Sequence, residues 1–435
     1  MRCLLISSVF LPDNAPESRR IDALASALAS RGHDVTILAA RPHYPSGIVP
    51  KEWHRIVWRD ETLPYGSVRR CWIYGGSRGG SAGKALNWAS FLPSGALALA
   101  NLGRSFDLVW AVWPPFSGHG LGWLAARASR AALVLEVQDV YPDTAIQLGA
   151  VQAGPIARIL TRFNVRLHSS ASATVVISPG FKANLASKGV PPDSIHLIRN
   201  WVSISSEVPR PDAIPRDSSP MTVLYAGNIG PAQGLQVVLE AARLLRSEPG
   251  VQFQLMGQGT ERRNLARQIE DDHLDNVRLL PAIPYDRVGE SLAAADALLV
   301  HLAPTEVNRT TIPSKLGDFI AAGRPVIAGL EGDAAALVAS AGCGIVIPPG
   351  NPAALADAAL KLRGSAELRH ALGLKGAAYA REHLAVEVLA PAYVELLESV
   401  IQDARRTSQT APRGRAGCNN VAPAGRAEER PEAGE

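Results

Sequence analysis

Arg2-Cys3-Leu4-Leu5-Ile6-Ser7-Ser8 opens the chain, Ile21, Leu24, Ala25, Leu28 and Ala29 follow at helical spacing, and Arg31-Gly32-His33-Asp34-Val35-Thr36-Ile37-Leu38 closes the passage. The first run is apolar and strand-length, the signature of a strand buried on both faces. The spaced residues put one apolar stripe on a helix, and Gly32 is the natural residue to end it, because glycine accepts the left-handed conformation a helix C-terminus needs. Val35–Leu38 is a second buried strand. Strand, helix and strand in so short a stretch form a βαβ unit, which commits the sheet to parallel pairing.

The same rhythm runs outward from this unit. Strands are predicted over 108–112, 133–137, 173–178 and 195–198, with helices over 120–128 and 179–187. Residues 203–220 are dominated by Ser, Pro, Asp and Arg and read as a linker. The pattern then restarts, with strands over 222–226, 251–256, 277–280, 297–300 and 325–328 and helices over 235–245, 262–269 and 315–322. Two runs of βα units joined by a linker predict an α/β chain of two doubly wound, Rossmann-like domains, at 1–202 and 221–387. A helix over 388–405, with Leu389, Tyr393, Leu396, Leu397 and Val400 on one face, and a disordered tail over 406–435 complete the reading.

Bulk properties narrow the function. The chain has 435 residues, 47% of them apolar and 19% charged, enough for large cores. A formal net charge of +4 argues against a dedicated nucleic-acid binder and permits an anionic ligand or membrane surface. Cys3, Cys71, Cys343 and Cys418 form no C-x-x-C pair, so neither a zinc site nor a disulfide framework is indicated, and a reducing cytoplasm fits. The first strand is too short for a signal peptide, and no stretch reaches the ~18–20 apolar residues of a membrane span. The nearest, Ala85 to Leu102, is interrupted by Asn87, Pro93 and Asn101 and reads equally as a core helix or as a membrane-docking one.

Ligands of doubly wound sheets sit beyond the carboxyl ends of the strands, which selects a few loops. Gly227-Asn228-Ile229-Gly230-Pro231-Ala232-Gln233-Gly234 follows a strand and precedes a helix, either a phosphate cradle or a plain glycine turn. It is not G-x-G-x-x-G, and Gly79-Gly80-Ser81-Ala82-Gly83-Lys84 lacks Walker spacing. In Ile312-Pro313-Ser314-Lys315-Leu316-Gly317-Asp318, Ser314 stands as N-cap and Gly323 ends the helix. Lys315 with free N–H groups would make an anion site, and Asp318 either accepts from a ribose diol or complements the helix dipole. Gly257-Gln258-Gly259-Thr260 is a phosphate turn or a strand-to-helix connector. In the first domain Pro16, Ser18, Arg19 and Arg20 open a helix, where either arginine meets a phosphate or lies on a solvated face. Asp139 and Asp143 follow a strand and are candidates for sugar hydroxyls or proton transfer, with a helix cap as the plain alternative for Asp143. His119 has no visible partner and reads as structural. No His, Cys or carboxylate spacing suggests a tightly held metal.

In this order the pieces resemble the GT-B glycosyltransferases of family 4, over about residues 1–400. The resemblance is carried by residues 31–38, Pro42-His43-Tyr44-Pro45-Ser46-Gly47, Asp139-Val140-Tyr141-Pro142-Asp143, Ile198-Arg199-Asn200-Trp201-Val202, the 225–234 loop and the 313–328 helix and strand. It points to the bacterial branch that adds deoxy- or acetamido-sugars to O-antigen, capsule or colanic-acid-type polysaccharides. The resemblance implies two domains facing a cleft, a retaining transfer, no metal or cofactor, and a UDP- or GDP-sugar held mainly by the C-terminal domain. The implied acceptor is a polyprenyl-diphosphate-linked glycan on the N-terminal side, at the cytoplasmic face of the inner membrane. Lys315 and Asp139 take the catalytic positions. Gly227, Asn228, Ile229, Gly230, Gln233, Gly234, Gly257, Gly259, Arg309, Ser314, Leu316 and Asp318 take the donor side. Pro16, Ser18, Arg19 and Asp143 take the acceptor and phosphate side. The chain departs from the family where Thr310 and Asp318 replace two glutamates and where Asn228 and Gln233 are neutral, so Lys315, Arg309 and Arg19 are the cations left to offset a diphosphate. The rival readings are a sugar-nucleotide 2-epimerase of the same fold and a non-catalytic sugar-nucleotide binder.

Overall fold

The structure, a computed structural model, describes residues 1–13, 15–44, 46–75, 81–103, 105–113, 116–147, 152, 154–202 and 220–410. The first sheet holds β1 Arg2–Ser7, β2 Asp34–Ala40, β3 Trp58–Leu63, β4 Gly66–Cys71, β5 Leu108–Trp113, β6 Ala132–Val137, β7 Ala173–Val176 and β8 Ile195–Leu197. Their order is β3-β4-β2-β1-β5-β6-β7-β8. β1 pairs with β2 in parallel, Leu4 opposite Thr36 and Ile6 opposite Leu38, as the opening βαβ unit demands.

Three strands, β3, β4 and β14, are additions to the sequence reading. β3 is antiparallel to β4 and forms the sheet edge. Its Trp58-Arg59-Asp60-Glu61 run is exposed and charged, so it lacks the apolar signal of a buried strand. Cross-strand pairs hold it, Arg69 to Asp60 at 2.6 Å and Arg70 to Glu61 at 3.1 Å.

The second sheet holds β9 Met221–Ala226, β10 Val251–Met256, β11 Val277–Leu280, β12 Ala297–His301, β13 Val326–Gly329 and β14 Gly344–Ile347, in the order β11-β10-β9-β12-β13-β14, all parallel. β14 is the third unread strand, hidden by its half-exposed Gly344-Ile345-Val346 run. The chain progresses outward from β9 to β11 and then crosses back to β12, so a topological switch lies between β9 and β12, where a crevice opens at the carboxyl ends of an α/β sheet.

Each sheet is covered on both faces. One face of the first packs on the helix Pro16–Ser30 through Ile21, Leu24 and Leu28. The same face receives the last helix, Val386–Thr410, through Tyr393, Val394 and Leu397. That helix, predicted over 388–405, runs five residues further, so residues 406–410 are helical rather than tail. The rest of the tail reading, and the linker reading for 203–219, lie outside the described residues. Buried polar bonds anchor the last helix: Trp110 Nε1–H donates to Tyr393 Oη (2.8 Å), whose hydroxyl donates to Glu136 Oε2 (2.7 Å). The chain thus returns from the second domain to the first. The opposite face is covered by the helices Ser81–Ala100 and Phe116–Ser129. The stretch left open between core and membrane is a core helix on one side, with Phe91 and Ala98 buried, while Leu86 and Leu97 are half exposed. No helix among the described residues is long and apolar enough to cross a membrane.

The halves meet through loops at the carboxyl ends of their strands. Ser178 Oγ, after β7, donates to Thr310 O (2.7 Å), and Gly180 N–H donates to Asp333 Oδ2 (2.6 Å). The second bond sets a carboxylate at the N-terminus of the helix Pro179–Ser187, where the helix dipole favours it.

Candidate active site

The loop after β9 is shaped by backbone crowding. Gly227 has φ +145°, and a Cβ there would lie 2.9 Å from Lys315 Nζ. A Cβ on Gly257 would sit 1.8 Å from Gly227 O, and one on Gly259 2.1 Å from Ile229 O. The two glycine turns are therefore stacked backbone on backbone. Gly257 and Gly259 carry the backbone that packs against the first loop. Ile229 is fully buried and its N–H donates to Gln258 O (2.8 Å).

Gln233 closes the turn from within. Its Oε1 accepts from Asn228 Nδ2 and from Gly230 N–H, both at 3.1 Å. The two neutral residues that depart from the family pattern thus bond each other. Gly234 takes the left-handed conformation that turns the chain toward the next helix. His301 at the end of β12 braces the loop. Its Nδ1 bonds Gln233 O (2.7 Å) and its Nε2 accepts from Gly350 N–H (2.9 Å), an assignment that leaves the ring neutral. Burial lowers its pKa in the same sense. The sequence reading passed over His301; its place at a strand's carboxyl end was the signal.

Lys315 starts the helix Lys315–Ala321 and reaches this loop. Its Nζ stands 3.7 Å from the centroid of the Tyr225 ring. Among the described residues it has no hydrogen bond and no ion pair. Burial lowers its pKa from 10.5 to about 7, because the ammonium has lost water without gaining a carboxylate. The π face of Tyr225 replaces part of that hydration. Tyr225 itself, absent from the sequence assignment, is held by its hydroxyl donating to Asn228 O.

Asp318 is buried one turn further on, and its Oδ2 accepts from Tyr285 Oη (2.8 Å). The Arg19 guanidinium of the first domain lies 4.2 Å above the Tyr285 ring. Arg19, Tyr285 and Asp318 therefore bridge the cleft in series.

Several sequence assignments sit differently. Ser314 has helical backbone angles and makes no side-chain cap bond; Leu316 N–H instead bonds Pro313 O, so the turn closes itself. Ser314 lines a small cavity between the halves with Ile177, Arg199, Asn200 and Pro313. Leu316 is a core residue, fully buried. Arg309 is more than half exposed and pairs with Glu306 (3.4 Å) and Glu331 (3.6 Å), so its charge is already shared with two carboxylates. Thr310, at the position of a family glutamate, packs on Gly180 of the other domain. Arg20 is neither solvated nor placed for phosphate; it is buried against Glu136 at 2.5 Å and bonds Asn200. Asp143 accepts from Asn184 Nδ2 (2.7 Å) and pairs with Lys188 Nζ (2.6 Å), which ties it to the helix Pro179–Ser187 instead of the cleft. Pro16 is the exposed first residue of its helix, and Ser18 is fully buried. Asp139 is half buried, its Oδ1 accepts from Thr144 Oγ1 (2.6 Å), and burial raises its pKa. His119 is buried, bonds Glu136 O (3.0 Å), and is held neutral by burial and by His168. No group of three His, Cys, Asp or Glu able to hold a metal occurs among the described residues.

Two sheets, parallel except for the edge strand β3 and joined at their carboxyl-end loops, with a lone lysine over a glycine loop, define a class, and known proteins share it. Residues 18–201 match the family described as "Glycosyl transferase 4-like domain", and residues 220–364 match "Glycosyl transferases group 1". The chain belongs to the GT-B glycosyltransferases of family 4. Among individual proteins it is 27% identical over 336 residues to WcaI of Escherichia coli (strain K12), a protein named for glycosyl transfer in colanic acid biosynthesis, covering 74% of this chain and 82% of WcaI. It is 31% identical over 232 residues to WbjE of Pseudomonas aeruginosa, named as a glycosyltransferase, covering 51% and 58%. In fold it is similar to HepE of Anabaena, solved in complex with UDP, at TM-score 0.68 and 17% identity, covering 92% of this chain and all of that one.

Proposed function

We propose that this glycosyltransferase moves a sugar, with retention of anomeric configuration and without a metal, from a UDP- or GDP-sugar to a polyprenyl-diphosphate-linked glycan in the assembly of a cell-surface polysaccharide. The names of WcaI and of the amylovoran transferase AmsK of Erwinia amylovora support the pathway class, and the UDP complex of HepE supports the donor class. One observation carries the donor site: the Lys315 ammonium is desolvated beside the Gly227 loop with no anion among the described residues to balance it. A diphosphate there supplies the missing charge, and Lys315 stabilises that charge as the sugar–phosphate bond breaks. Asp318 accepts from the ribose hydroxyls in exchange for Tyr285. The 227–234 backbone lies along the diphosphate, and Asp139 faces the transferred sugar or the acceptor from the other wall.

The test is a panel of labelled sugar nucleotides incubated with the protein and a membrane lipid extract, beside a Lys315→Ala variant. Transfer to lipid, with a loss of at least ~10-fold in the variant, supports the proposal. Conversion of the donor without acceptor would make the chain an epimerase. UDP and GDP binding that leaves Lys315 and the 227–234 loop untouched refutes the site.

A further inference from the structure

Residues 62–192 hold twelve Lys and Arg against four Asp and Glu, whereas the whole chain has 44 against 40, so the remainder is net acidic. The helices in that stretch carry unusual exposed surface. In the helix Pro155–Ser169, Ile156, Ile159 and Phe163 recur at i, i+3 and i+7 and are 68%, 64% and 60% exposed. Arg158, Arg162 and Arg166 recur at i, i+4 and i+8 and are exposed as well. At 100° per residue the two triplets form adjacent stripes: the arginine row lies opposite the buried Ala157 and His168, and the apolar stripe flanks the buried Leu167 between that row and the core face. There is no Asp or Glu between Asp143 and Asp193, and none of the three arginines joins a salt bridge among the described residues. The helix Phe116–Ser129, which covers the same sheet face, adds half-exposed Trp123 and Leu124, with the Arg127 guanidinium 5.3 Å above the Trp123 ring.

Exposed apolar residues scattered singly need no explanation, but three at helical spacing beside an unpaired cationic row do. A second copy of the chain is a poor occupant, because a two-fold contact would bring the arginine rows together. A convex helix with an apolar stripe and a basic stripe suits the headgroup–acyl boundary of an anionic bilayer, with Ile and Phe entering the acyl edge and Arg held at the phosphates. We infer that the outer face of the Pro155–Ser169 helix docks the N-terminal domain on an anionic lipid surface. This deepens the proposed use of a lipid-linked acceptor and rests on it for its purpose, since docking holds the acceptor-side domain where such a substrate lies. It also moves the contact from 85–102, whose Phe91 and Ala98 are core, to a helix the sequence reading did not single out.

The full chain is floated with vesicles of phosphatidylcholine alone and of phosphatidylcholine mixed with phosphatidylglycerol. Binding to the mixed vesicles only, weakening as salt rises, is the expected result. Replacing all three arginines (R158Q, R162Q, R166Q) weakens it about a hundredfold, from roughly fivefold per cation near an anionic surface. The pair I159S and F163S weakens it at least ~10-fold by removing the inserted apolar area. Thermal unfolding of the variants confirms that they fold, since every changed side chain is exposed. Failure of the wild type to bind mixed vesicles, equal binding to both, or variants that bind like the wild type would overturn the inference. So would a concentration-dependent dimer that F163S disperses. The assay needs neither donor nor acceptor. Vesicle binding by protein that takes up neither UDP nor GDP would uphold the docking face while sinking the donor site.

Discussion

On the proposed donor site, Lys315 makes nucleotide binding a proton-linked event. In the free protein its pKa is about 7 because burial removes water and no carboxylate among the described residues replaces it. A bound diphosphate favours the ammonium, so the pKa rises on binding and, above pH 7, each bound nucleotide takes up a proton. Well below pH 7 the lysine is charged in the free protein too and contributes no slope; through pH 7 the slope sets in, and above it affinity falls by up to tenfold per pH unit until the pKa of the complex is reached. Between pH 7 and 9 the Kd for UDP or GDP is expected to rise by as much as ~100-fold. Calorimetric titration at pH 8 in two buffers of different ionisation enthalpy should register close to one proton taken up per nucleotide. Lys315→Gln should bind at least ~10-fold more weakly at pH 7 and lose the slope. The same burial penalises the folded state below the unfolded pKa of 10.5, fully below pH 7, with a ceiling of about 5 kcal/mol. Lys315→Met should therefore unfold at a higher temperature than the wild type at pH 6 while failing to bind. A wild-type Kd that is flat from pH 7 to 9, or a Lys315→Gln protein that keeps the slope, refutes the reasoning.

Other substitutions test the rest of the site. Gly257→Ala forces a Cβ to within 1.8 Å of Gly227 O at φ +149°, and is expected to cost at least ~2 kcal/mol, read as a drop of several degrees in the thermal midpoint. Tyr285→Phe removes the hydroxyl bonded to Asp318 and should leave ribonucleotide affinity equal or slightly higher, whereas Asp318→Asn lowers it by ~10-fold; comparing UDP with 2′-deoxy-UDP isolates the ribose contribution. Arg309→Ala should change nucleotide affinity by less than about twofold, since that exposed side chain already shares its charge with Glu306 and Glu331.

Much of this was legible along the chain. The parallel sheets followed from unbroken apolar strands alternating with amphipathic helices, because burial on both faces leaves no other pattern. The two glycine loops and Lys315 were legible because topology fixes where such loops lie. The edge strand β3 was not, since its exposed Trp58, Arg59 and Asp60 carry no apolar pattern and Asp60 and Glu61 meet their arginine partners on β4 only in the fold. Nor could spacing separate Arg19 from Arg20. They are neighbours in sequence, yet about 100° of helix turn sends one to Tyr285 across the cleft and the other into a buried pair with Glu136.

By itself, then, the sequence determined the class of fold, the order of its loops and the short roster of candidates for the proposed diphosphate site, because these depend on local periodicity and on glycine, proline and charge in fixed order. Only the tertiary structure decided which of those groups are free to act. Asp143, Arg20 and Arg309 are drawn into ion pairs, Asn228 and Gln233 satisfy each other, and Lys315 is left over an aromatic ring with no counter-ion among the described residues. The reason is physical: a charge acts on a ligand only if folding has not already neutralised it, and its partners lie far away in sequence.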